Sequence, residues 1–278
     1  MPELPEVETV ARSVDVRLRG DRIVQAWFGS HREPFKTPPT RQAKGLEGSV
    51  ILAVHRSGKH IVFELRSSAG PPSAPPDAQW IVHLGMTGQL LVKEPDAPLV
   101  RHTHVRLTLA SGNELRFVDP RRFGRLEFRN LTRAQPFVPA GAEPLEIAPQ
   151  PFAALFRGRR LSVKAALLNQ SLLSGVGNIY ADESLFRAGV RPTRRACRLT
   201  RAELEHLRLA LLDVLGHAIR LGGSSVSDYV DANGDPGSFQ VEHCVYQRTG
   251  QPCRRCGTPI RRVLVAGRGT HYCTHCQR

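Results

Sequence analysis

Apolar positions near the start of the chain recur at helical spacing. Val7, Val10, Val14 and Leu18 fall on one face, which predicts a helix from Glu6 to about Arg19. Pro5 suits its first turn, where a missing N–H costs nothing. Glu6 and Glu8 lie at the positive end of its dipole, and Gly20 closes it. Strand-like runs follow at Ile23–Phe28, Val50–His55, His60–Leu65, Gln79–Leu84, Gln89–Val92, Thr103–Leu109, Glu114–Val118 and Arg125–Phe128. They are short, β-branched and aromatic, and Gly, Pro and polar turns separate them. This pattern predicts antiparallel sheets packed as a sandwich or barrel. Ser67–Asp77, SSAGPPSAPPD, reads as a surface hairpin loop between two of the strands.

Prolines cluster over Pro136–Pro151, which reads as a linker, and the pattern beyond it is helical. Leu161–Leu173 and Ile179–Ala188 flank the glycine turn SGVGN at Ser174–Asn178. Thr200–Leu221 is a long helix opened by a capping box of Thr200 and Glu203 and stopped at Gly222-Gly223. Ser224–Phe239 is loop-rich. The boundaries fall at 1–135, a linker at 136–151, a helical domain at 152–243 and a tail module at 244–278.

Charge narrows the partner. The 278 residues hold 39 Lys and Arg against 25 acids, a net charge of +14. Such an excess predicts a polyanion, with nucleic acid first and an anionic membrane surface second. The alternative is a basic protein with no such partner. Nothing approaches the roughly 18 uninterrupted apolar residues of a membrane span. The acidic start lacks the apolar run of a secretory signal, so a cytoplasmic location is expected.

Four of the six cysteines form Cys253-x2-Cys256-x16-Cys273-x2-Cys276. Two such pairs predict one zinc ion held by four thiolates, a closed structural site. The alternative of two disulfides fits a reducing compartment poorly. Cys197 and Cys244 have no ligand spacing and are expected to be buried thiols. The tail from Cys253 holds six arginines and no acid, as a phosphate clamp would. Arg268, between two glycines in AGRGTHYC, is expected at the tip of a hairpin.

Other segments could carry chemistry, each beside a plainer reading. Pro2 follows the initiator Met, and only removal of Met1 would turn its nitrogen into a free secondary amine. Gly175 and Gly177 could bring backbone N–H groups to a phosphate, with Asn178 as phosphate ligand or helix cap. Arg121, Arg122 and Phe123 in DPRRFG could form a wedge for a base stack, or Phe123 could be core and the arginines solvated. Met86 in HLGMTG could be wedge or core. Lys59 beside Gly58 could be a solvated charge.

Taken in order, PELPEVET, Lys59 after a basic turn, HLGMTG, RHTHVRL, DPRRFG, GVGNIYADESLF, DANGDPG and the paired cysteines resemble the formamidopyrimidine-DNA glycosylase family across nearly the whole chain. The resemblance implies an α+β multidomain fold. Its parts are an N-terminal antiparallel β-sandwich with an N-terminal helix, a helix–two-turns–helix domain and a C-terminal β-hairpin zinc finger. It implies a bifunctional glycosylase and AP lyase that removes oxidised purines from duplex DNA, works as a monomer and holds one structural zinc. Pro2 would be the nucleophile that forms a Schiff base with deoxyribose, Glu3 the acid at the opening sugar, and Glu6 a supporting carboxylate or simply a charge at the helix start. Lys59 would contact phosphate and assist elimination, and Arg268 would grip phosphate for the second elimination. His102, Arg121 and Asn178 would contact DNA, and Met86, Arg121 and Phe123 would fill the gap left by the extruded nucleotide. Ser224–Phe239 would cap the flipped base. Where the family has Lys near the start of the second domain, this chain has RGRRLSVK, and Arg159 is the phosphate contact expected there. The related endonuclease VIII branch and a non-catalytic zinc-ribbon binder remain as alternatives. PELPEVE with DPRRFG favours the purine branch, and Pro2, Glu3 and Lys59 have no use in a pure binder.

Overall fold

The computed structural model describes Met1–Arg278 apart from residues 31–33, 68–70, 72, 227 and 228. By packing, the chain divides into two units. Unit 1 is Met1–Val138 with Gly222–Gly237, and unit 2 is Pro139–Leu221 with Ser238–Arg278.

Unit 1 opens with α1 (Leu4–Leu18), continues through β1 (Ile23–Phe28), α2 (Pro39–Leu46), β2 (Val50–Ser57), β3 (His60–Arg66), β4 (Ala78–His83) and β5 (Gln89–Lys93), and ends with β6 (Thr103–Leu109), β7 (Glu114–Val118) and β8 (Arg125–Asn130). Two antiparallel sheets result, ordered β1-β6-β7-β5 and β2-β3-β4-β8. Their facing side chains, among them Ile23, Val105, Phe117, Ile61, Phe63 and Trp80, share one core with Val7, Val10, Val14 and Leu18 of α1. Burying each such side chain contributes roughly 1.5–3 kcal/mol, so the apolar stripe of α1 is enough to fasten it to the sandwich. The helix α2 was hidden in sequence by Pro38, Pro39 and Gly45. Its glycine is required, because a Cβ at Gly45 would lie 2.2 Å from the Phe128 ring. The expected Ser67–Asp77 loop falls partly outside the described residues. Its described base is closed by Asp77, which accepts the Ser67 N–H at 2.9 Å.

Unit 2 contains α3 (Pro149–Ala154), α4 (Val163–Leu168), α5 (Asn178–Arg187), α6 (Arg201–Arg220) and a hairpin of β9 (Arg261–Val265) and β10 (Arg268–Tyr272). Short 3-10 turns lie at Ala196–Arg198 and Phe239–Glu242. Three local expectations are corrected. The proline cluster does not end as a linker, since Pro149 and Pro151 occupy the first turn of α3, where their missing N–H groups have no helical partner anyway. The helix expected over Leu161–Leu173 stops at Leu168, because Asn169 turns its carboxamide oxygen onto the N–H and hydroxyl of Ser171 at 3.0 and 2.7 Å. Cys197 is exposed and Cys244 partly so, rather than buried. The capping box of α6 is present, with Thr200 and Glu203 satisfying each other's backbone N–H at 2.8 and 3.2 Å.

The segment Gly222–Gly237 packs with unit 1 although its neighbours in sequence lie in unit 2. Residues of unit 1 hold it. Glu6 accepts the Ser224 N–H at 2.7 Å, Val92 donates its N–H to Ala232 at 2.9 Å, and Arg17 and Lys93 donate to Asn233 at 2.8 and 3.2 Å.

Candidate active site and metal centre

In unit 1, Pro2 is buried directly ahead of α1, while Met1 is 48% exposed. Glu3 is the N-cap residue, and its N–H donates to Glu6 Oε2 at 2.8 Å. Both residues are buried, with 4% and 2% exposure. Glu6 is thus more than a charge at a helix start, since its two oxygens join the chain's beginning to Ser224. Gly223 lies against it with φ +82°, and a Cβ there would come within 2.9 Å of Glu6. The Tyr229 hydroxyl donates to the Glu6 carbonyl at 3.3 Å, and burial beside the Glu6 carboxylate drives its pKa well above the usual tyrosine range. Ser227 and Asp228, within the expected base-capping loop, lie outside the described residues.

Lys59 sits in the two-residue turn between β2 and β3 and is buried rather than solvated. Gly58 before it has φ +61°, a left-handed conformation that suits glycine. The next residue, His60, pairs across the strands with His83, with ring centroids 4.9 Å apart. Burial first, then the neighbouring charges of Lys36 for His60 and of His60 and Lys59 for His83, lowers both pKa values to about 4. Both rings are therefore neutral at pH 7. His83 Nδ1 accepts the Gly85 N–H at 3.1 Å, which places its proton on Nε2. His83 was missed in sequence, where it read only as the end of a strand.

The Met86 turn and the Arg121–Phe123 turn meet backbone to backbone. An added Cβ at Gly85 would lie 2.5 Å from the Phe123 carbonyl carbon. Met86 and Phe123 are 41% and 46% exposed, which excludes the core reading for both. The Arg121 guanidinium carbon stands 4.6 Å over the Phe123 ring, a cation–π contact that stiffens the tip. His102 is exposed at the start of the turn into β6, with φ +68°.

In unit 2, the glycine turn between α4 and α5 is clamped by Gln170, which accepts the Gly175 N–H at 3.0 Å and donates to the Val176 carbonyl at 2.7 Å. Gly177 is the N-cap of α5, so the cap reading of Asn178 fails. Instead, Asn178 Nδ2 donates to the Gly269 carbonyl at 3.0 Å. Lys164 reaches that carbonyl too, at 3.2 Å. It is wholly buried, with its ammonium 2.6 Å from Asp182 Oδ1 and 2.8 Å from the Thr270 hydroxyl. Asp182 Oδ2 accepts both the backbone N–H and Nδ1 of His271, at 2.8 and 3.1 Å. These bonds fasten β10 to α5 and so fix the strand on which the exposed Arg268 stands, as its first residue directly after the Ala266–Gly267 turn at the hairpin's tip. Arg159 is exposed, and its Nε closes the end of α3 by donating to the Leu155 carbonyl at 2.7 Å. Lys164 escaped notice because a lysine in SVKAALL reads as a helix-surface residue. Its apolar neighbours were the signal.

The sulfurs of Cys253, Cys256, Cys273 and Cys276 lie within 4.8 Å of one another. Opposed pairs are 3.9 Å (Cys253–Cys276) and 3.5 Å (Cys256–Cys273) apart. A zinc ion with Zn–S distances of about 2.3 Å requires sulfur separations near 3.8 Å in a tetrahedron, so the four residues fit one zinc. All six cysteines are unbridged, which removes the disulfide alternative. With four thiolates the site is closed and structural. Glu183, buried, accepts the N–H groups of Cys244, Val245 and Tyr246 at 2.8–2.9 Å and so braces the segment leading into the module.

Three family models match the chain in order. They are the formamidopyrimidine-DNA glycosylase N-terminal domain over residues 1–126, the formamidopyrimidine-DNA glycosylase H2TH domain over 141–230, and the zinc finger found in FPG and IleRS over 250–278. The formamidopyrimidine-DNA glycosylase of Solibacter usitatus is 45% identical over 278 residues, covering all of both chains.

The chain belongs to the formamidopyrimidine-DNA glycosylase family.

Solved structures agree with this membership. The Lactococcus lactis Fpg in complex with DNA containing an abasic site matches with a TM-score of 0.87 at 34% identity, over 99% of each chain. The same enzyme with DNA containing N7-benzyl-Fapy-dG matches with a TM-score of 0.87 over the whole of both chains. The family fold accounts for the sandwich, the helical H2TH region and the zinc finger found above. Among the described residues no helix is long and apolar enough to cross a membrane.

Proposed function

We propose that the chain is a base-excision DNA glycosylase and AP lyase that removes formamidopyrimidines and 8-oxoguanine from duplex DNA, with Pro2 as nucleophile. Family membership supports the activity. The observation that carries the assignment of Pro2 is its position, buried at the foot of α1 behind an exposed Met1 and beside the fixed carboxylates of Glu3 and Glu6. Removing Met1 leaves a secondary amine there. An α-amino group with its ordinary pKa of about 8 keeps a neutral fraction at pH 7 that can attack.

The Pro2 nitrogen bonds to the sugar C1′, the glycosidic bond breaks with its electrons leaving on the base, and the proton lost from the attacking amine passes to the departing base. Glu3 gives a proton to the ring oxygen as the sugar opens and is left a carboxylate. The resulting iminium acidifies C2′, and transfer of that proton to the Glu3 carboxylate expels the 3′ phosphate. A second elimination expels the 5′ phosphate; Lys59 contacts phosphate and assists elimination, and Arg268 is assigned to the second elimination. His102, Arg121, Asn178 and Arg159 contact DNA, and Met86, Arg121 and Phe123 replace the extruded nucleotide. Extrusion itself costs a few kcal/mol. A zinc ion in the Cys253–Cys276 module supplies structure alone. The protein works as a monomer on chromosomal DNA in the cytoplasm.

Borohydride trapping with abasic DNA tests the nucleophile. The wild type forms a covalent adduct that mass spectrometry maps to residue 2. Pro2→Gly lowers trapping by roughly two orders of magnitude while duplex binding persists. An adduct elsewhere, or equal trapping by the variant, overturns the assignment. Excision of thymine glycol without 8-oxoguanine would place the chain in the pyrimidine branch.

A further inference from the structure

We infer that Asp119 is a positioning residue that makes one rigid unit of three separate turns, those of Met86, His102 and Arg121–Phe123. The inference rests on the DNA-glycosylase reading above and concerns how the base is extruded. Asp119 follows β7 and is fully buried. Its carboxylate receives donors from two different turns. Oδ1 accepts the Thr87 hydroxyl at 2.6 Å and the Arg121 N–H at 3.3 Å, and Oδ2 accepts the Gly124 N–H at 2.8 Å. Its backbone reaches the third turn. The Asp119 N–H donates to the His102 carbonyl at 3.0 Å, and its carbonyl accepts the Arg122 N–H at 3.2 Å and lies 2.9 Å from His104 Nε2.

A carboxylate suits this place because it is acceptor-only and has two oxygens. A carboxamide would turn an N–H2 group toward these donors. The surrounding space is already filled, since Cβ atoms at Gly85 or Gly124 would come within 2.5 Å of neighbouring atoms. Two of the linked residues, His102 and Arg122, have φ of +68° and +55°. Left-handed backbone is costly for such side chains, so the turns need outside bonds to hold them.

The consequence concerns the wedge. Met86 and Phe123 present apolar side chains to water, where they gain nothing in the free protein. Their use arises when they enter a base stack. A wedge that had to be ordered on entry would lose loop and side-chain entropy at that moment, and one ordered beforehand avoids the loss. Asp119 therefore serves extrusion and leaves bond breaking to other residues.

The test uses the full chain and two substrates. One is a duplex with 8-oxoguanine opposite cytosine, in which a base must be extruded. The other is a single strand with an abasic site, which has no base to extrude and no gap to fill. For Asp119→Asn and Thr87→Val, kcat/KM on the duplex falls by about tenfold or more. Cleavage of the abasic single strand stays within about threefold of wild type. The fluorescence rise of 2-aminopurine placed beside the lesion slows in step with the duplex loss. Parallel loss on both substrates, or an unchanged rate on the duplex, overturns the inference. Thr87→Val leaves Asp119 in place and decides the question if Asp119→Asn does not fold. A wild-type protein inert on both substrates would instead sink the glycosylase reading.

Discussion

The two units hold their candidate residues by contrasting means. In unit 1, the turns carrying Met86, His102 and Arg121–Phe123 gather round one residue, Asp119, whose carboxylate accepts a hydroxyl and backbone N–H groups from two of them and whose own N–H donates to the His102 carbonyl. In unit 2, β10 and its Arg268 are fixed by a fully buried cation, Lys164, paired with the buried carboxylate of Asp182. Four cysteines gather beyond that strand. The turns of unit 1 stand on the shared apolar core of the two sheets and need only orientation. The hairpin of unit 2 has little core of its own, with Val245, Ile260 and the cysteines packed on Phe186. A small module of this kind depends on ions, both metal and side-chain.

The contrast can be broken by attacking each support. Losing the metal has the largest effect. Cys273→Ser, which removes a buried ligand, should release zinc and abolish tight DNA binding, because structural zinc supplies about 10–16 kcal/mol of folding free energy in small modules. Zinc content and gel shift read this, and the near-ultraviolet signal of Trp80 in unit 1 should persist. A variant that binds DNA normally without zinc would contradict the dependence of unit 2 on its ions. Next comes Lys164→Met. Removing one partner of a buried ion pair leaves an uncompensated charge at a cost of about 3–5 kcal/mol, visible as a lowered urea midpoint with zinc retained. A loss below about 1 kcal/mol would mean the pair behaves as an exposed one.

The smallest effect sharpens the picture of unit 1. His60 and His83 have folded pKa values of about 4, below the unfolded value near 6.5. Between these values the unfolded chain binds more protons than the folded one, so stability is full above about pH 6.5 and declines as pH falls toward 4. His60→Phe should flatten this decline in urea titrations across the window. An equally steep decline in the variant would assign the protons to other groups.

Much of this was legible from residue order alone. Val7, Val10, Val14 and Leu18 announced α1 because a buried helix face must repeat at 3.6 residues. The strands were legible for the matching reason, and Thr200 and Glu203 marked the start of α6 because a cap is a local bond. The cysteine spacing named the metal, since ligands on two tight turns can be read without a fold. The helix α2 was not legible, because its Gly45 answers to Phe128, a residue far away in sequence.

The sequence by itself determined the chemical inventory, namely a proline behind Met1, paired cysteines, a basic tail and an apolar residue in each of two glycine-flanked turns. Only the tertiary structure decided which charged groups are buried and what they hold. It made Asp119 a junction of turns, Lys164 an internal ion instead of a surface one, and Glu6 a clasp on Ser224. The physical reason is that a charge can leave water only where several partners converge on it, and those partners come from segments that the linear order keeps apart.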